Sequence, residues 1–241
     1  MARHLRLTIV IALLLARSIS AQLPVSPASA QGMSAERLAR MDAVIQTSIE
    51  KKELPGAVVL VGRHGKIVWR KAYGARAIEP QREAMTLDTI FDLASLTKVV
   101  ATTTSIMILI EQGKVRLNDS VIQFIPEMKG DGREAITIEQ LLTHMSGFAP
   151  DFDLRERWTG YDEAIKHLYR EPLRNQPGTR FVYSDINYIT LGEVVHRVSG
   201  QMLDDFARRN ILCLSACATQ ASTPAPICDP ESPRLKSDVD S

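Results

Sequence analysis

The first 212 residues of this 241-residue chain contain no cysteine. The three that exist, Cys213, Cys217 and Cys228, cluster at the end, and an odd count gives no closed disulfide framework. No histidine lies near them to complete a zinc site, so neither a metal nor any other cofactor is expected. The chain also lacks a basic run. Its formal net charge is +1 with acids and bases interspersed, which excludes the concentrated positive face of a nucleic-acid binder. Long apolar stretches are missing after the N-terminus, and neither G-x-S-x-G nor H-E-x-x-H occurs.

What is present is an ordinary globular composition, 45% hydrophobic and 24% charged, enough for one sizeable domain with a subdomain. MARHLR followed by LTIVIALLLA has the layout of a secretory signal peptide, too short to span a bilayer. Ala28-Ser29-Ala30 offers a cleavage site and Ala21 a second one. The expectation is a leader over 1–30, a periplasmic or secreted product, and no stable membrane anchor after cleavage.

Local patterns predict elements along the rest. Leu38, Met41, Ile45 and Ile49 fall on one helical face that Pro55-Gly56 terminates. Residues 57–61 and 66–74 read as strands joined tightly at His64-Gly65. From Ser95 to Gln112 the residues are apolar or small on every side, predicting a helix buried all round. Thr137 and Gln140 form a capping box for a helix that Gly147 would close. Asp162 to Tyr169 predicts a short helix. Asp185 is placed to cap another, with Ile189, Val194, Val195 and Val198 as its apolar stripe and Gly200 at its end. A last helix is predicted over 203–211. Residues 213–241 show neither helical nor strand period and read as an unstructured tail.

Two Ser-x-x-Lys pairs compete for chemistry. Ser48 lies within the first amphipathic helix and Lys51 in the solvated run EKKE, so that pair reads as surface. Ser95 follows an apolar segment and opens a helix, one turn before Lys98. A serine hydroxyl needs a base to become a nucleophile, and a lysine serves only if burial or nearby positive charge lowers its pKa. Helix-start amides would add oxyanion stabilisation. Local physics leaves this reading open beside a plain helix cap with a snorkelling lysine.

FDLASLTK, LLTHMSGF and YSDINYITLGEVV, in that order, resemble the serine β-lactamase and penicillin-binding-protein family. They are most similar to its class C-like branch of esterases, D-aminopeptidases and related hydrolases. The likeness runs from about Ser34 to Leu212. It implies an α/β (α+β) fold, an antiparallel sheet flanked by helices with a helical subdomain, over residues 31–212. It also implies an acyl-enzyme at Ser95, with Lys98 as partner base and Tyr183 as second general acid/base. The substrate would be a small-molecule ester, a β-lactam or a peptidoglycan-like D-amino-acid peptide. Asp185 stands where the family's Y-x-N motif has asparagine, and would be a substrate-binding residue that accepts hydrogen bonds but cannot donate them. His144 receives only a packing or capping role.

The resemblance further implies a K-T-G or H-x-G strand after Tyr183. Only Gly192 and Gly200 follow it, and neither completes such a motif. With a one-nucleotide slip near Leu212 and permitted codons, residues 214–241 can be re-read as VGMRDTSFYPSADLRSRIAPTEIGRGF, which is similar to the family's continuation. The tail is therefore expected to be a frameshift product, with the family's later strands absent. The 241-residue chain is then expected to be unstable or inactive by itself. A non-catalytic remnant or peptidoglycan-binding module of the same fold is the alternative function.

Overall fold

A computed structural model describes residues 23–153, 155 and 157–213; the predicted tail and most of the predicted leader lie outside them. The chain divides into two compact units with a boundary between Asp92 and Leu93.

In the first unit, helix α1 (Ala35–Glu50) starts where Ser34 accepts a hydrogen bond from the Arg37 amide at 3.2 Å. Leu38, Met41, Ile45 and Ile49 are half-buried along one stripe, as their spacing requires. Strands β1 (Gly56–Arg63) and β2 (Lys66–Ala77) pair antiparallel, from Gly56 opposite Gly74 to Arg63 opposite Lys66. His64 and Gly65 both take positive φ (49° and 70°), the geometry a two-residue hairpin turn needs. A two-residue strand β3 (Glu83–Ala84) continues the order β1-β2-β3; its shortness hid it from the pattern reading.

The residues just before α1 join the sheet. Val25 bridges Ile67, the Ile67 amide donates to Pro24 O, and the Ser26 amide donates to Ile67 O, both at 2.9 Å. Ala28 is buried. A leader boundary at residue 30 would remove this pairing; a boundary at Ala21 keeps it.

The second unit is helical and carries the main apolar core, including Ile106, Leu109, Leu141, Phe148, Leu191 and Val194. A π-helical turn (Lys98–Thr103) runs directly into α2 (Thr104–Glu111). Then come α3 (Ile138–Leu142), α4 (Tyr161–Arg170), α5 (Asp185–Ser199) and α6 (Leu203–Ala207), the last extended by a second π turn (Arg208–Leu212). Helix α5 packs against α2, α3 and α6. Its buried residues spread around most of its circumference.

Three expectations need correction here. The Ser95–Gln112 segment is not buried on every side. Thr102, Ser105, Ile106 and Leu109 face the core, while Leu96, Val99, Val100 and Met107 are exposed. The helix after the capping box stops at Leu142, because His144 takes a left-handed φ of 59°. Gly147 serves a different purpose, since a Cβ there would meet Asn175 O at 2.1 Å. Asp185 does not cap α5: Ser184 holds the cap position, and the Asp185 carboxylate turns elsewhere.

Candidate active site

Every predicted site residue falls in the helical unit, and two stretches bring them together. The first is the entry to the π turn. Ala94 has φ 43°, a left-handed conformation costing a residue with a Cβ about 1 kcal/mol, and it thrusts Ser95 out at the helix start. The Leu96, Thr97 and Lys98 amides donate to the carbonyls of Leu93, Ala94 and Ser95. These three amides are spent within the turn, so the oxyanion help expected from them is not on offer. Ser95 lies at the surface, and Lys98 Nζ donates to its Oγ at 3.3 Å.

The second stretch is Val182–Asp185, tied to His144–Pro150. The Val182 amide donates to His144 O at 2.9 Å, and the Ser184 amide donates to His144 Nδ1 at 3.1 Å. Ser184 Oγ donates to Ala149 O at 2.6 Å, and the Asp185 amide donates to Pro150 O at 2.8 Å. Tyr183 is thereby clamped on both sides. Its ring lies against the imidazole of His144 with centroids 4.4 Å apart. Because Nδ1 accepts from an amide, the ring proton of neutral His144 sits on Nε2. Burial, with Lys98's positive charge adding to it, holds the His144 pKa below the usual histidine value.

Lys98 is the hub. Its ammonium lies 2.7 Å from Asp185 Oδ1 and over the rings of Tyr183 (5.2 Å to the centroid) and Tyr188 (5.9 Å). Burial is the largest influence on its pKa and pulls it down. Bonding to Asp185 and Tyr183, with their charges, outweighs that pull, and the pKa ends above the ordinary lysine value. The expectation of a lysine depressed by burial is therefore reversed, and the reason is the carboxylate at position 185. Tyr183 moves the other way: hydrogen bonding with Ser95, then with Lys98, holds its phenol below the usual tyrosine value. The arrangement presents a serine hydroxyl, a fixed ammonium and an acidified phenol within one small cluster.

Sequence reasoning assigned His144 only packing or capping and passed over Tyr188. The signal for Tyr188 was available, one helical turn beyond Asp185 on α5. Its hydroxyl donates to Leu142 O at 3.2 Å and lies 3.3 Å from Thr103 Oγ1, joining the π turn to α3.

A cavity of about 450 Å³ opens beside this cluster, between the π turn, α4, α5 and α6. Ala94, Lys98 and Asp185 border one end, and Tyr161, Glu193 and His196 the other.

The Beta-lactamase family profile matches residues 41–231, and the chain belongs to that family. Its fold is accordingly the β-lactamase/transpeptidase-like one. Among relatives, it is 35% identical to esterase EstB of Burkholderia gladioli over 194 residues, covering 70% of this chain and 47% of the esterase. The structure is similar to that of the octameric penicillin-binding protein homologue from Pyrococcus abyssi, with TM-score 0.64 and 26% identity over 73% of this chain and 42% of the homologue. It is also similar to a class C β-lactamase from Rhodobacter sphaeroides, with TM-score 0.61 and 27% identity over 72% and 48% of the two chains. The chain spans about half the length of the curated relatives it matches.

Proposed function

We infer that Ser95 is the nucleophile of a serine hydrolase that works through an acyl-enzyme on an ester, a β-lactam or a D-amino-acid peptide. The observation that carries this reading is the convergence of Ser95, Lys98 and Tyr183 from two distant stretches, with the two shifted pKa values divided between them. With Lys98 held as a cation, Tyr183 is the group able to take the Ser95 proton. The proton leaves Ser95 Oγ for the phenolate oxygen, Oγ attacks the substrate carbonyl, and the phenol then protonates the leaving group. Lys98 stabilises the phenolate and does not itself exchange a proton.

The test is labelling of the purified chain with a fluorescent penicillin and with a fluorophosphonate. Ser95-dependent labelling by either supports the reading. Labelling that survives Ser95→Ala, or none from either probe, contradicts it.

A second reading, a non-catalytic module of the same fold, is favoured by the Lys98–Asp185 ion pair, which makes Lys98 a poor base. It predicts peptidoglycan-fragment binding without covalent labelling.

We also assign the chain to the periplasm or the medium, with leader cleavage after Ala21, because residues 24–26 pair with β2 and Ala28 is buried. N-terminal sequencing of the exported protein checks this; an N-terminus at Gln31 contradicts it.

A further inference from the structure

The cavity beside Ser95 is apolar along its length and electrically closed at both ends. Ala94, Ile165, Ile189, Gly192, Met202 and Leu203 supply its walls. Its volume lies within the range of about 300–1,000 Å³ usual for small-molecule pockets. At the near end the one cation, Lys98, is already neutralised by Asp185 at 2.7 Å. At the far end Glu193, whose side chain is 2% exposed, accepts from Arg197 Nε at 2.6 Å and from the Tyr161 hydroxyl. His196 Nδ1 lies 3.3 Å from the same carboxylate. Among the described residues, each carboxylate bordering the cavity has its cation, and both Lys98 and His196 already face a carboxylate.

We propose that this cavity receives the uncharged, apolar acyl group of an ester or amide, and that the Asp185–Lys98 pair makes it reject acyl groups bearing a carboxylate. An anion entering would meet two carboxylates and a spent ammonium, while shedding its own water in an apolar channel. A methylene chain gains about fourfold in affinity per buried CH2. An asparagine at 185 would accept from Lys98 as a neutral dipole and leave the ammonium's charge exposed to the ligand. Asp185 is in this sense a specificity-determining residue. The inference rests on Ser95 being the acylated residue, because that sets which part of a substrate enters beside Ala94.

The test reads binding alone, so it fails or succeeds independently of Ser95 chemistry. The full chain with methyl-labelled isoleucine is titrated with octanamide, octanoate and butyramide at pH 7.5, following the Ile165 and Ile189 signals. Octanamide is expected to bind at least about 100-fold more tightly than butyramide, as four buried methylenes at about fourfold each require. It is also expected to bind about 10-fold more tightly than octanoate, which has the same chain and a charged head. Asp185→Asn should narrow the amide-to-carboxylate gap to about threefold or less by freeing the charge of Lys98. Gly192→Met places a side chain in the cavity and should weaken octanamide by at least about 10-fold; a Cβ at 192 meets only Leu203 Cδ2, at 3.6 Å. Octanoate equal to or tighter than octanamide in the unsubstituted chain overturns the proposal. So does octanamide no tighter than butyramide, or failure of all three ligands to shift the two signals. These comparisons hold even if Asp185→Asn does not fold.

Discussion

The helical unit gathers Ile106, Leu109, Leu141, Phe148, Leu191, Val194 and their neighbours into one buried cluster, whereas the sheet unit buries only Ala28, Ile67, Val68, Tyr73 and Ala75 among its described apolar residues. The proposed chemistry follows the core. Ser95, Lys98, Tyr183 and Asp185 all stand on the helical unit, held by backbone bonds from His144–Pro150 and by the packing of α5. The sheet unit rests on three antiparallel strands, one of them only two residues long, and one amphipathic helix packed against β2. A site that must hold a hydroxyl, an ammonium and a phenol within hydrogen-bonding reach belongs on the unit that resists deformation.

The largest effect that tests this division is chemical. Tyr183→Phe removes the proposed base and should slow Ser95 acylation by about 10²–10⁴-fold without changing the unfolding midpoint. In the parent chain the acylation rate should climb with pH through a midpoint below the ordinary tyrosine value, as the acidified phenol ionises. An unchanged rate in the variant would detach the site from Tyr183.

The next effect compares the units directly. Leu109→Ala, at a fully buried position, should cost about 2–5 kcal/mol in urea unfolding. Leu60→Ala, on exposed β1 surface, should stay within about 0.5 kcal/mol. Equal costs would erase the contrast.

Gly74→Ala comes third. Gly74 has φ 69°, and a Cβ would lie 2.4 Å from Pro55 O and 2.9 Å from Gly56 Cα. A loss of about 1–3 kcal/mol is expected, confined to the sheet unit. Amide exchange should quicken in β1 and β2 and remain unchanged in α5; acceleration in both would join the two units energetically.

The smallest effect concerns His144. Its folded pKa lies below the unfolded value of 6.5, so its contribution to stability is fully present above pH 6.5. That contribution is lost as pH falls through the folded value. His144→Gln keeps an acceptor for the Ser184 amide and should lack this loss. The difference between parent and variant melting temperatures should therefore change between pH 7 and 5. A constant difference would mean that His144 does not titrate in this range.

Much of the local architecture was legible because local forces decide it. The stripe from Leu38 to Ile49, the His64-Gly65 turn and the Thr137–Gln140 box each depend on a few neighbouring residues, and both box hydrogen bonds are present at 3.0 and 3.2 Å. The Ser95–Lys98–Tyr183 convergence was legible only through family resemblance, since nothing local joins positions so far apart. What escaped was set by tertiary context. The left-handed Ala94 and His144 carry no composition signal, and the π turn at Lys98 reads as an ordinary helix. The exposed face of Leu96, Val99 and Met107 could not be separated from the buried one when every residue was apolar or small. The direction of the Lys98 shift depended on where the Asp185 carboxylate pointed. The sequence offered that residue as a helix cap and a substrate contact; in the fold it is first a counter-ion.

The central claim is that Ser95 is the residue acylated. Its most direct test is peptide mapping by mass spectrometry after the purified chain is treated with p-nitrophenyl butyrate and quenched in acid. The account predicts one butyryl adduct, on the peptide containing Ser95, absent from Ser95→Ala and unaffected by Ser48→Ala. An adduct on any other residue, or none on Ser95, would contradict it.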